Sequence, residues 1–187
     1  MQVNSVAVFC GSKSGNNPLF SAETKQLGAL LAKFNISLVY GGGKVGLMGD
    51  IANAVMDNNG QVIGIIPELL VEWEQQHQGI SDLRVVADMH IRKKMMYELC
   101  DAAIVLPGGN GTLDELFEML TWNTLKIHSK KIILLNCANY YDQLIAHINM
   151  MKNQGFLYED WEERLIICTS AQEIINVLNL DKHQTQP

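Results

Sequence analysis

Residues 102–120 read AAIVLPGGNGTLDELFEML. The stretch opens on five apolar residues, the length of a buried strand, and closes on a helical pattern. Between them lie three glycines, an Asn and a Thr, where a strand must become a helix. Strand, glycine turn and helix in immediate succession form the repeating half of a parallel α/β sheet.

The same unit recurs along the chain. Apolar runs rich in Val, Ile and Leu stand at 6–9 (VAVF), 36–40 (ISLVY), 61–66 (QVIGII), 83–87 (LRVVA), 131–135 (KIILL) and 164–168 (RLIIC). Continuous apolar runs of this length fit strands covered on both faces. Most are separated by helical patterns such as LFSAETKQLGALLAKF and YYDQLIAHINMMKNQG. The expectation is a Rossmann-like, doubly wound α/β fold: a parallel sheet of about seven strands, helices on both faces, right-handed crossovers. One domain is expected over 1–180, followed by a polar, frayed tail at 181–187.

Composition narrows the function classes. The 187 residues carry a formal net charge of −6 and no basic run, which argues against nucleic acid or an anionic membrane as partner. The N-terminus has no basic stretch before its apolar run, and that run is too short for a signal peptide or a membrane span. Cys10, Cys100, Cys137 and Cys168 form no CxxC pair and suggest free, mostly buried thiols. A cytoplasmic setting follows. No cluster of His, Cys, Asp and Glu calls for a metal, and His90 reads as a surface histidine.

Four unusual loops follow strands: CGSKSG (10–15), YGGGKVGLMG (40–49), DMHIRK (88–93) and PGGNGT (107–112). In a parallel sheet all four lie at the carboxyl edge, where open α/β sheets bind ligands. In the PGGNGT loop, Gly108, Gly109, Gly111 and Thr112 could present backbone N–H groups to a phosphate at a helix start. A second explanation is local. Thr112 and Glu115 have the spacing of a capping box, with Thr at the N-cap and Glu at N3. On the helical wheel Leu113, Leu116, Phe117 and Leu120 form the expected core stripe. Glu115, Met119 and Trp122 lie on a second semi-apolar side, which a subunit partner would cover.

Arg92 heads an apolar helical face made with Met95, Met96 and Leu99. A guanidinium there needs an anionic partner, from the protein or from a ligand, unless it snorkels to water. Lys94 points elsewhere and reads as solvated. The loop Gly41–Gly46 matches GxGxxG, and Glu68 follows the next strand where a ribose-binding acid would fall. That supports a nicotinamide oxidoreductase as a competing reading, although the loop follows the second strand rather than the first. A nucleotide sensor without turnover is a third reading.

Taken together, PGGNGTLDE, YGGGKVGLMG, MHIRK and TWNTLKIHSK, in this order and spacing, resemble the LONELY GUY (LOG) family of cytokinin riboside 5′-monophosphate phosphoribohydrolases. Many members bear the older label "possible lysine decarboxylase". The resemblance runs from Val6 to about Leu178. It implies a Rossmann-like fold, commonly a homodimer, and hydrolysis of a nucleoside 5′-monophosphate to free base and ribose 5-phosphate, with no cofactor. Arg92 and Glu115 would be the catalytic pair, with the PGGNGT loop, Asn110 included, on the 5′-phosphate. Gly42 and Gly43 would belong to the same pocket, as would Gly11, Ser12, Met89 and Lys93 from the neighbouring edge loops. One departure is Lys131, where the family often has Pro. A residue opening a strand should matter little there. The decarboxylase label itself finds no pyridoxal-phosphate lysine with its partners in this sequence.

Overall fold

The computed structural model describes residues 2–71, 76–158 and 160–179. The tail at 181–187 lies outside the described residues. All seven apolar runs are strands: β1 (Ser5–Phe9), β2 (Ser37–Tyr40), β3 (Val62–Pro67), β4 (Asp82–Val86), β5 (Ala102–Val105), β6 (Lys131–Leu135) and β7 (Leu165–Cys168). They form one sheet in the order β4-β3-β2-β1-β5-β6-β7, and every neighbouring pair is parallel. Lys131 does open β6. Among the described residues six helices accompany the sheet: α1 (Pro18–Lys33), α2 (Gly46–Asp57), α3 (Met89–Leu99), α4 (Asn110–Thr124), α5 (Asp142–Asn153) and α6 (Ala171–Asn179).

Side-chain alternation divides the core into two layers. β1 sends Val6 and Val8 toward the cluster beneath α1, α2 and α6, and Ala7 and Phe9 toward the cluster beneath α3, α4 and α5. β5 and β6 split in the same way, through Ala102 and Ile104 against Ala103 and Val105, and Ile133 and Leu135 against Ile132 and Leu134. A strand covered on both faces has no polar side, which is why these runs are continuously apolar. Each Val, Leu or Ile fully buried here contributes roughly 1.5–3 kcal/mol.

β4 departs from the two-sided expectation. It is an edge strand, mostly of intermediate exposure, and Val85 is 49% exposed. The β3–β4 connection also lacks an α-helix among its described residues. It carries a 3₁₀ turn at Glu68–Leu70, then returns past the β2 loop through an antiparallel bridge between Gly43 and Gln76.

All four cysteines are buried, and none is in a disulfide. Burial, with Glu23 nearby, pushes the Cys137 thiol up to about 11. Burial, with Glu173 nearby, does the same to Cys168, also to about 11. Thiolates are the reactive form. At mildly alkaline pH both residues should therefore label with an alkylating reagent about 100-fold more slowly in the native protein than after denaturation. Peptide mapping of labelled samples checks this; rapid native labelling of either cysteine would contradict the burial.

Candidate active site

The strand order reverses between β1 and β5, so the loops after these strands diverge and leave a crevice at the carboxyl edge. The two loops are tied at their bases. Leu106 N–H donates to Phe9 O at 2.9 Å and Gly11 N–H to Pro107 O at 3.0 Å. Met48 N–H, in the first turn of α2, donates to Gly11 O at 3.3 Å.

Beside this junction lies a cleft of about 320 Å³ lined by Gly11, Ser12, Met89, Arg92, Gly109, Asn110, Gly111, Thr112 and Glu115. Cys10, Met48, Leu70 and Asp114 complete its wall. Arg92 and Glu115 are buried to 6% and 7% exposure, on helices that arrive from different crossovers. Asp88 caps α3 by accepting the Ile91 N–H at 2.8 Å, which fixes where that helix begins. Met89 and Arg92 then fall on its cleft-facing side, while Lys94 and His90 are exposed, as expected from the sequence.

The capping-box reading of Thr112 and Glu115 is not what forms. Helix α4 begins three residues earlier than a Thr112 cap would place it, at Asn110, with Gly109 as N-cap and no side-chain cap bond. Thr112 is thus inside the first turn, and Glu115 lies beyond N3. The first N–H groups of α4 are left without an intrahelical acceptor or a capping side chain, at the cleft wall. That is the preorganised arrangement for an anion. A Cβ built at Gly109 or Gly111 would meet nothing within 4 Å, so both glycines open on space.

The expected stripe on α4 is also rotated. Thr112, Glu115, Leu116, Met119 and Asn123 are its buried residues, whereas Phe117 is 36% exposed and Leu113 and Leu120 only partly covered. The inner face carries polar groups because it serves the cleft at one end and, at the other, holds Asn123 between Lys130 O and the Arg164 guanidinium, both at 3.0 Å. Hydrophobic periodicity alone finds Leu113, Leu116 and Leu120, which pack on the core, but sets the stripe too far round and includes Phe117.

Three residues expected in the site are directed elsewhere. Gly42 O accepts the His77 N–H at 2.9 Å and Gly43 bridges to Gln76, so both turn toward the β3–β4 connection. Lys93 points to Asp114 and Glu118 on α4 instead of into the cleft. Gly108 borders a second compartment of about 380 Å³ on the α1 side of the crevice, with Lys13, Phe20, Leu47 and Tyr140.

Packing accounts for the first and last glycines of the GxGxxG match, Gly41 and Gly46. A Cβ at Gly41 would overlap Arg92 Nη2, and one at Gly46 would overlap the Ser12–Lys13 backbone. Gly46 also has a positive φ of 61°. The resemblance to a dinucleotide fingerprint therefore arises from close approach of protein to protein.

Tyr140 and Tyr141 had no sequence signal of their own. Both follow β6 at the same sheet edge, where Ala138 and Asn139 adopt positive φ and turn the chain toward the crevice. Tyr140 donates its hydroxyl to Gly108 O and Tyr141 to Leu106 O, each at 2.7 Å. The two tyrosines brace the glycine loop from behind. The loop's position on the carboxyl edge was the available clue.

Comparison with known proteins identifies the family. A family described as "Possible lysine decarboxylase" matches residues 48–178. A cytokinin riboside 5′-monophosphate phosphoribohydrolase of Rhodococcoides fascians is 43% identical over 172 residues, covering 91% of this chain and 87% of that protein. The chain belongs to the LOG family of phosphoribohydrolases. An Arabidopsis thaliana family member bearing the same enzyme name is 42% identical over 173 residues, covering 92% of this chain and 81% of its own. Among solved structures, the molybdenum cofactor binding protein of Rippkaea orientalis superposes with a TM-score of 0.72 at 22% identity, over 96% of this chain and 97% of that one. The Moco carrier protein of Chlamydomonas reinhardtii gives 0.71 at 14% identity, over 96% and 98%. At such identities these two show a shared fold and nothing about ligands.

Proposed function

We propose that this chain hydrolyses the N-glycosidic bond of nucleoside 5′-monophosphates, AMP or N6-substituted AMP, to free base and ribose 5-phosphate. The observation that carries the reading is the convergence of buried Arg92 and buried Glu115 on one cleft with the uncapped start of α4. The named relatives support the reaction type.

The chemistry follows from the placement. The 5′-phosphate takes the N–H groups at Asn110–Thr112, and its negative charge is favoured by the helix dipole. Phosphate and anomeric carbon are close together in a nucleotide, so C1′ comes to rest within reach of the same helix's first turns, where Glu115 stands. As the C1′–N bond breaks, its electron pair leaves with the base and positive charge grows on the ribose. The Glu115 carboxylate stabilises that charge and accepts a proton from the attacking water. The hydroxyl bonds to C1′, and the proton taken up by Glu115 is passed, directly or through water, to the departing base, which regenerates the carboxylate. Arg92 supplies the positive charge of the cleft, for phosphate or base.

The assembly we infer is a homodimer. It is supported by an exposed apolar groove of about 230 Å³ lined by Phe117, Leu120, Phe156, Leu157, Tyr158 and Trp161, a surface suited to a second copy. Buried cysteines outside any disulfide support a reducing, cytoplasmic setting. Among the described residues no helix is long and apolar enough to cross a membrane.

Incubation with AMP and, separately, with N6-isopentenyl-AMP tests the function. Chromatography should show equimolar free base and ribose 5-phosphate from at least one substrate. Release from neither would reject the hydrolase.

A further inference from the structure

Lys93 follows Arg92 in sequence, yet its side chain leaves the cleft. Its ammonium lies 3.1 Å from Asp114 Oδ2 and 2.9 Å from Glu118 Oε2, with 11% of the side chain exposed. Burial alone would lower its pKa. Hydrogen bonds to Glu118 and Asp114 outweigh that and hold it above the ordinary lysine value. Tyr97, one turn further along α3, donates its hydroxyl to Glu118 Oε2 at 2.8 Å. The Tyr97 ring stands edge-on to Trp122 of α4 at 4.9 Å and to Phe9 of β1 at 5.9 Å.

These contacts form two matched rows. Residues 93 and 97 are four apart on α3, and residues 114, 118 and 122 are four apart on α4. The two helices meet through these long side chains rather than through close backbone packing. Each row adjoins a cleft residue: Lys93 is next to Arg92, and Asp114 is next to Glu115. The spacing between the guanidinium and the carboxylate thus depends on the register that the rows impose.

Charge adds a second effect. Asp114 lines the cleft near the start of α4. An uncompensated carboxylate there would repel a bound phosphate, and the Lys93 ammonium, shared with Glu118, offsets part of that repulsion.

We propose that Lys93 is a positioning residue. It clamps α3 to α4 so that Arg92 and Glu115 stay in one cleft, and it masks Asp114 from the anionic end of the substrate. The inference rests on reading the cleft as a nucleotide hydrolase site.

The test is a four-variant cycle read by kinetics and by calorimetric AMP binding. Lys93→Ala should raise KM for AMP and lower kcat, each about tenfold. Lys93→Arg should recover most of both. In Lys93→Ala/Asp114→Asn the KM should return toward wild type while kcat stays low, because the repelling charge is gone but the link to Glu118 is still missing. Asp114→Asn alone keeps that link and should fold with a KM no higher than wild type. A direct lysine–phosphate contact predicts no KM recovery in the double variant, and that result would overturn the proposal. So would a raised KM in Asp114→Asn, or losses in Lys93→Ala that track its folded fraction. Wild-type protein that binds AMP without releasing base would reject the hydrolase reading alone. The same pattern must then appear in the AMP dissociation constants, or the clamp falls as well.

Discussion

Glu115→Gln is expected to fold, to bind AMP, and to lose about 10³-fold in kcat. Loss of a positioned proton-transfer group costs roughly 10²–10⁴-fold, and 10³-fold corresponds to about 4 kcal/mol of transition-state stabilisation. Glutamine keeps the shape of the buried side chain but neither carries the charge that stabilises a cationic ribose nor accepts a proton from water. The structure separates this outcome from a stability effect. Helix α4 starts at Asn110 with Gly109 as its N-cap, so Glu115 is not in the N3 position from which a capping box would work. Its replacement leaves the helix end as it was, and Tm should remain within about 3 °C of wild type. Calorimetry beside single-turnover kinetics checks both halves. If Tm and turnover fell together, Glu115 would be a structural residue and the proposed chemistry would lose its base.

The second large effect concerns Arg92, and it can be produced without touching that residue. Arg92→Ala should raise KM about 10- to 100-fold and lower kcat as well, since charge-assisted hydrogen bonds to an anion contribute roughly 1.5–3 kcal/mol. Gly41→Ala should reproduce the loss. A Cβ at Gly41 would overlap Arg92 Nη2 and crowd Met48 Sδ at 3.1 Å, so the guanidinium must leave its seat. The φ of Gly41 is not in the positive range that penalises alanine, so the backbone should tolerate the change. In the double variant Gly41→Ala/Arg92→Ala the overlap is gone, and kinetics should be no worse than in Arg92→Ala alone. Additive losses would show that Gly41 acts through something other than Arg92.

The fold was legible because each strand announced itself. Runs such as AAIVL and KIILL are apolar without alternation, and only a strand covered on both faces needs that pattern. The parallel sheet and the gathering of four glycine-rich or charged loops at its carboxyl edge followed from alternation with helices. Arg92 was visible as a guanidinium at the head of an apolar face, and the PGGNGT loop as a strand-to-helix turn. Other features were hidden for definable reasons. The buried side of α4 is polar where it meets the cleft and Lys130, so the hydrophobic stripe misplaced Phe117. The start of that helix was misplaced because Thr112 and Glu115 have capping spacing, while the backbone turns helical already at Asn110.

By itself, then, the sequence determined the seven-stranded parallel order of elements, the edge on which a ligand must lie, and the helices that bear the two charged candidates. Those properties depend on short-range periodicity and on chain connectivity, which a linear pattern records. Tertiary structure alone decided which way neighbouring side chains turn. Arg92 enters the cleft and Lys93 leaves it for α4, Gly42 and Gly43 turn to residues 76–77, and Tyr140 and Tyr141 reach back to brace the glycine loop. Each of these depends on partners far away in sequence, and no local pattern encodes the distance between a side chain and a partner that folding brings to it.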